Sequence, residues 1–218
     1  SLSVSDLTRI LVEDALSEMF LPADNIVRRL LSRMEHIMQA HDISATTMAA
    51  LLAPWNIRPA VFREPDRLTD YLTGEILAAL ADWFYLSPEW LNGRVHYPLY
   101  RPGDWPATQE IFCRIISARE NMDIILWHGF PFAGTHSGEY CGVLLRQKKE
   151  INNTIIYPVL SLYPVRMDIE KEGWFQMARK ISPDIPVRAV TLTPAQAEYL
   201  ITGKILPTAL FRVPLSPW

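Results

Sequence analysis

The run from Leu77 to Gly93 constrains this chain more than any other stretch. Leu77, Leu80, Ala81 and Phe84 fall at i, i+3, i+4 and i+7, one apolar face of a helix. Beyond a short corner, Ser87 offers a hydroxyl to the next helix start. Pro88 suits the first helical position, where an N–H has no partner anyway, and Gly93 suits the left-handed stop. A helix, a corner and one capped turn cannot bury that face unaided. The unit therefore predicts further helices packed against it.

Those helices are legible upstream. Asp24 or Asn25 can cap a helix over 26–41 in which Ile26, Val27, Leu30, Leu31, Met34, Ile37 and Met38 keep helical spacing. Arg28, Arg29 and Arg33 are expected on its outward, solvated face. Ser44 starts a second helix carrying Met48, Leu51 and Leu52, which Pro54 limits. Over 58–69 the reading is irregular, because Pro59 fits a first turn and Pro65 interrupts six residues later. Helical spacing resumes at Leu68, Tyr71 and Leu72, and Gly74 marks the corner before the Leu77 face. An earlier amphipathic helix is predicted over 2–20, capped by Ser5 and stopped by Pro22.

The segment Leu80-Ala81-Asp82-Trp83-Phe84-Tyr85-Leu86-Ser87-Pro88-Glu89-Trp90-Leu91-Asn92-Gly93 resembles the closing helices of the phage-repressor-like (Xre-type) helix-turn-helix family. The resemblance covers about 26–94. It implies a five-helix bundle whose third element, here 58–69, occupies the position that reads DNA. Carried over, it points to Arg58, Arg63 and Arg67 at the DNA, with Thr46, Thr47 and Asn56 as phosphate contacts. It also implies a homodimer on double-stranded DNA in a cytoplasmic bacterial or phage regulator.

Charge runs against that expectation. Residues 1–100 hold eight arginines and no lysine against thirteen acids, a balance of −5, while residues 101–218 balance at +2. DNA-binding surfaces draw most of their affinity from neutralised phosphates, so a basic face is expected. Arg58, Arg63 and Arg67 cluster, but Glu64, Asp66 and Asp70 interrupt them. No apolar run approaches the roughly 18 residues that cross a bilayer, so no membrane role is expected. No leader pattern opens the chain. Cys113 and Cys141 are too few for a disulfide framework or a four-cysteine zinc site, and read as reduced, buried thiols.

A stretch rich in proline and aromatics, 97–106, divides the chain into a helical domain over 1–96 and an α+β domain over 107–218. In the latter, a helix is expected over 108–118 with Ile111, Phe112, Ile115 and Ile116 buried. Strands are expected over 124–127, 140–145, 154–163 and 187–192, and a charged, aromatic helix over 170–181. Thr193 and Gln196 form a capping box before 194–202, and Gly203 ends that helix. A last strand is expected over 209–213. The fold class is thus α+β with an N-terminal all-α helix-turn-helix-like bundle and a mainly antiparallel sheet.

Reactive side chains concentrate between Trp127 and Gly142. A zinc reading would use His128, His136, Cys141 and Glu139, but the spacing matches no common zinc pattern. Ser137 lacks the nucleophile-elbow context, and neither phosphate-binding glycine motif occurs. The basic run Arg146-Gln147-Lys148-Lys149 reads as a hairpin end, and the Asp168-Glu170-Glu172 cluster as a solvated helix start. A ligand pocket lined by Trp127, His128, Phe130, His136 and Tyr140 is the reading favoured here, with Phe132 beside them. No catalysis, cofactor or metal is expected. The function implied is a DNA-binding transcriptional regulator whose C-terminal half senses a small-molecule effector or mediates association. The alternative is a protein-interaction module on a helix-turn-helix fold that no longer binds DNA.

Overall fold

The computed structural model describes residues 26–117, 123–132, 136–181 and 187–218. The helix expected over 2–20, and the caps at Asp24 or Asn25, lie outside the described residues.

The described N-terminal half is built of helices and 3-10 turns, with one isolated β-bridge from Leu86 to Tyr100. Helix α1 (Ile26–Ala40) buries Met34 and Ile37, and α2 (Ala45–Leu51) starts at Ser44, whose Oγ accepts the Thr47 N–H at 3.1 Å. Two 3-10 turns follow, Ala53–Trp55 and Pro59–Arg63, then α3 (Pro65–Tyr71). Helix α4 (Gly74–Phe84) is capped by Thr73, and α5 (Pro88–Leu91) by Ser87, whose Oγ accepts the Trp90 N–H at 3.3 Å. Gly93 takes φ +90, the left-handed stop its position demanded. Pro65 opens a helix instead of merely breaking one, since it occupies the start of α3.

One expectation for α1 is corrected. Arg28 is exposed, but Arg33 is only 5% exposed. Its guanidinium lies 5.5 Å from the centre of the Trp90 ring and donates to the Val95 carbonyl at 3.3 Å. Aromatic stacking and a backbone acceptor give the cation the partners that solvent would supply. Arg33 thus pins the turn after α5 onto α1.

The C-terminal half is built on a six-stranded sheet. Strands β1 (Asp123–Gly129) and β2 (Tyr140–Arg146) pair antiparallel, and β5 (Val159–Ser161) and β6 (Val165–Arg166) extend β2. On the other side, β7 (Val187–Thr191) pairs parallel to β1, and β8 (Ser216–Pro217) pairs antiparallel to β7. The sheet is therefore mainly antiparallel, as expected, with one parallel pair. Strands β3 (Lys149–Ile151) and β4 (Thr154–Ile156) form a separate hairpin around Asn152 and Asn153, both at positive φ as a two-residue primed turn requires.

Three expectations change here. The strand foreseen over 154–163 is cut into β4 and β5 at Pro158, which has no N–H for a ladder. The strand foreseen over 209–213 is a 3-10 turn, Pro207–Phe211, because Pro207 sets its first position, and 216–217 closes the sheet instead. In α6 (Gln109–Ser117), Phe112 and Ile116 are buried but Ile111 is exposed, one row off the narrow stripe that meets the sheet.

Strand alternation sends side chains to two cores. Ile124, Leu126, Cys141, Val143 and Leu145 face α6 and α7 (Ile169–Ile181), where Phe112 and Phe175 stack at 5.7 Å. Ile125, Trp127, Leu144 and Val190 face the other way and share one continuous core with α1 to α5 and with α8 (Pro194–Ile201). The segment 97–106 lies within that packing, since Leu99 and Tyr100 are buried. The Leu99 N–H donates to the Gly203 carbonyl at 2.8 Å, and the Tyr100 hydroxyl donates to Leu200.

Polar contacts across this core finish helix ends. The Asn152 side chain donates to the Leu51 carbonyl at 2.7 Å, the last residue of α2. Lys149 Nζ donates to the Asp82 and Trp83 carbonyls at 3.3 Å each, near the end of α4, and lies 4.0 Å from the centre of the Tyr85 ring. Arg212 donates to the Gln39 carbonyl at 2.6 Å, at the end of α1. These carbonyls have no partner inside their own helices. His41, just past α1, bonds the Ile37 carbonyl through Nδ1 at 2.9 Å and Thr208 Oγ1 through Nε2 at 3.1 Å. Since a carbonyl only accepts, Nδ1 carries the proton of the neutral ring.

Burial lowers the pKa of His41 to about 4, outweighing the Ile37 hydrogen bond, and Arg212 and His36 push the same way. The folded state thus holds this ring neutral while the unfolded chain protonates it near 6.5. Stability should be complete above pH 6.5 and fall as pH drops toward 4, by up to about 3 kcal/mol. Urea unfolding across that window should show the loss, and His41→Gln should flatten this component. Two glycines give a second check. A Cβ on Gly142 would stand 2.6 Å from the Trp127 indole, whereas one on Gly173, in mid-α7, meets nothing within 4 Å. Gly142→Ala should cost about 1–3 kcal/mol, and Gly173→Ala should stabilise the folded monomer by up to about 1 kcal/mol.

Candidate functional site

The segment 58–71 is anchored from beneath and open above. Ile57, Val61, Leu68 and Leu72 are buried, while Arg58, Arg63 and Arg67 are exposed. The two prolines divide it into a 3-10 turn and α3, so the arginines stand on two short pieces of helix. Arg67 pairs with Glu64 at 3.1 Å, both side chains being more than half exposed. That hydrogen bond holds the Arg67 pKa above its ordinary value. A pair so exposed adds little to stability and competes with any phosphate for the same guanidinium.

The remaining residues of this expectation sit at helix junctions. Thr46 is exposed in the first turn of α2, and Thr47 Oγ1 lies 3.0 Å from Ser44 Oγ beside it. Asn56 closes the first 3-10 turn in the left-handed conformation, φ 57, which asparagine tolerates better than most residues. The acidity of the first hundred residues is also unevenly placed. Residues 1–25 carry one arginine and five acids, whereas 26–100 carry seven arginines and eight acids, a balance of −1. The described bundle is close to neutral.

The five residues expected to line a pocket divide between the two faces of the sheet. Trp127 is fully buried on the face shared with the helical half, its ring lying against Gly142. His128, next in the same strand, points to the opposite face. Its Nδ1 bonds Glu139, its Nε2 lies 2.8 Å from Thr191 Oγ1, and the Trp218 ring packs 4.4 Å away. Phe130 is 58% exposed beyond the strand. His136 Nδ1 lies 3.4 Å from Glu198 of α8 and packs edge-on against Tyr140, which Arg166 approaches to 5.7 Å. His136 and Tyr140 thus meet on one side, and His128 stands on the other.

Glu139, His128 and Thr191 make a carboxylate–imidazole–hydroxyl chain at the ends of β1 and β7. With both ring nitrogens engaged, the chain fixes the imidazole and its tautomer. Cys141, paired with His128 across the ladder, is buried, and burial pushes its thiol up to about 12, with Asp168 adding to the shift. It is a packing residue, not a thiolate, at neutral pH. Among the described residues, no three His, Cys, Asp or Glu side chains converge to hold a metal ion. Thr191, Glu198 and Trp218 escaped sequence reasoning because they join these histidines across more than sixty residues of chain. Only the parallel β1–β7 pairing brings Thr191 to His128.

Removing the hydroxyl while keeping the shape tests this chain of hydrogen bonds. Thr191→Val should destabilise the protein by about 1 kcal/mol, because a partly buried ring nitrogen loses its partner. Chemical denaturation reads it directly, and an unchanged midpoint would mean water satisfies that nitrogen equally well. No protein-family model matches the chain, nor does any curated protein or solved structure.

Proposed function

We propose that the chain is a DNA-binding transcriptional regulator. In this reading its helical half meets double-stranded DNA through 58–71, and its α+β half senses an effector or mediates association. The observation that carries the reading is the exposed triad Arg58, Arg63 and Arg67 on a segment anchored by Val61, Leu68 and Leu72. Cations held on a fixed support match phosphates at little entropic cost. The near-neutral balance of 26–100 removes much of the electrostatic objection raised by the first hundred residues together.

The Arg67–Glu64 pair and the division of the segment at Pro65 favour a second reading, a protein-interaction module that no longer binds DNA. The two separate in a mobility-shift titration of the full chain with mixed genomic fragments at two salt concentrations. Under the first, binding weakens steeply with salt. Replacing Arg58, Arg63 and Arg67 by Ala then lowers the logarithmic salt slope by roughly 0.9 for each phosphate that is no longer neutralised. Glu64→Gln, which removes the carboxylate that competes for Arg67, should tighten binding while leaving the melting temperature essentially unchanged. No retardation at low salt would discard the DNA reading.

A further inference from the structure

The outer side of α7 carries an apolar line that nothing covers among the described residues. Ile169 is 88% exposed, Met177 40% and Ile181 47%. With Gly173 they recur every four residues, a line of about 18 Å on a helix rising 1.5 Å per residue. The same helix already buries Trp174, Phe175 and Ala178 against the sheet. Glu170, Gln176 and Lys180 are exposed beside this line, so an apolar ridge stands between polar neighbours on the outer side of the helix. Gly173 adds a second irregularity. It weakens the middle of a helix although no neighbour among the described residues needs the space its missing side chain leaves.

We propose that this face docks a second copy of the chain, the two α7 helices packing antiparallel about a twofold axis. A twofold contact must be self-complementary, with residue i facing j and j facing i. An axis level with Phe175 meets that condition. Ile169 then faces the partner's Ile181, Met177 enters the gap above the partner's Gly173, and Glu170 faces the partner's Lys180. The charge order of the helix supports this direction: Glu170 and Glu172 lie in its first turn, Arg179 and Lys180 in its last. Parallel packing would set acids beside acids and bases beside bases. Met177 is flexible enough to fill such a gap. One helix pair is a small interface, so the dimer is weak and reversible. The proposal does not depend on DNA binding.

Sedimentation of the full chain from about 1 to 200 µM, the range in which weak association is read, tests it. The weight-average mass should rise from one chain toward two. Met177→Glu and Glu170→Lys should each weaken association at least about tenfold. Glu170→Lys combined with Lys180→Glu should restore it to within about threefold of the parent, because the charges are exchanged and not removed. Gly173→Leu should also weaken it while raising the melting temperature of the monomer, which separates a blocked gap from misfolding. All these positions are exposed, and circular dichroism confirms that each variant is folded. A parent that stays monomeric throughout overturns the proposal. So does a dimer indifferent to Met177→Glu, or a charge exchange that fails to restore association.

Discussion

Helix carbonyls organise this molecule. Each helix ends with carbonyl groups its own backbone cannot pair, and the ends of α1, α2 and α4 all point toward the C-terminal half. There Arg212, Asn152 and Lys149 meet them. Two of the three donors are charged, which suits the negative end of a helix. The β3–β4 hairpin makes sense in that light. It pairs with no strand of the main sheet, yet its turn and its first residue complete α2 and α4. The apolar packing is built the same way, with one continuous core running from Met34 to Val213. The helical half is finished by residues that lie 66 to 173 positions further along the chain.

Local chemistry explains what could be foreseen. The Ser44, Ser87 and Thr193 caps, the Gly93 and Gly203 stops, and the apolar periodicity of α1 and α4 all act within a few residues. Such features need no knowledge of the fold, and the helices were legible from them. Proline placement was harder. Pro158 and Pro207 disrupt runs whose side chains favour strand, because the missing N–H overrides the apolar pattern. Arg33 eluded the pattern for the opposite reason. Its spacing marks the outward side of α1, but Trp90 and Val95 approach from α5 and convert that side into an interior.

The residues between Trp127 and Gly142 show where one-dimensional reading fails. Proximity in sequence suggested that their aromatic and imidazole groups share a cavity. A strand forbids it, since Trp127 and His128 must point in opposite directions. Each histidine finds its partners elsewhere: Thr191 comes from β7 and Glu198 from α8. The exposed arginines of 58–71 were easier to foresee, because the anchoring residues Val61 and Leu68 and the arginines belong to one short segment.

The shared completion of helix ends bears on how this protein can be dissected. A fragment stopped near residue 100 would bare three sets of carbonyls and cut through the shared apolar core at once. Its failure to hold together would say nothing about whether the native helices engage DNA. The polypeptide must be handled whole, and a cut between its halves removes the lid along with the tail.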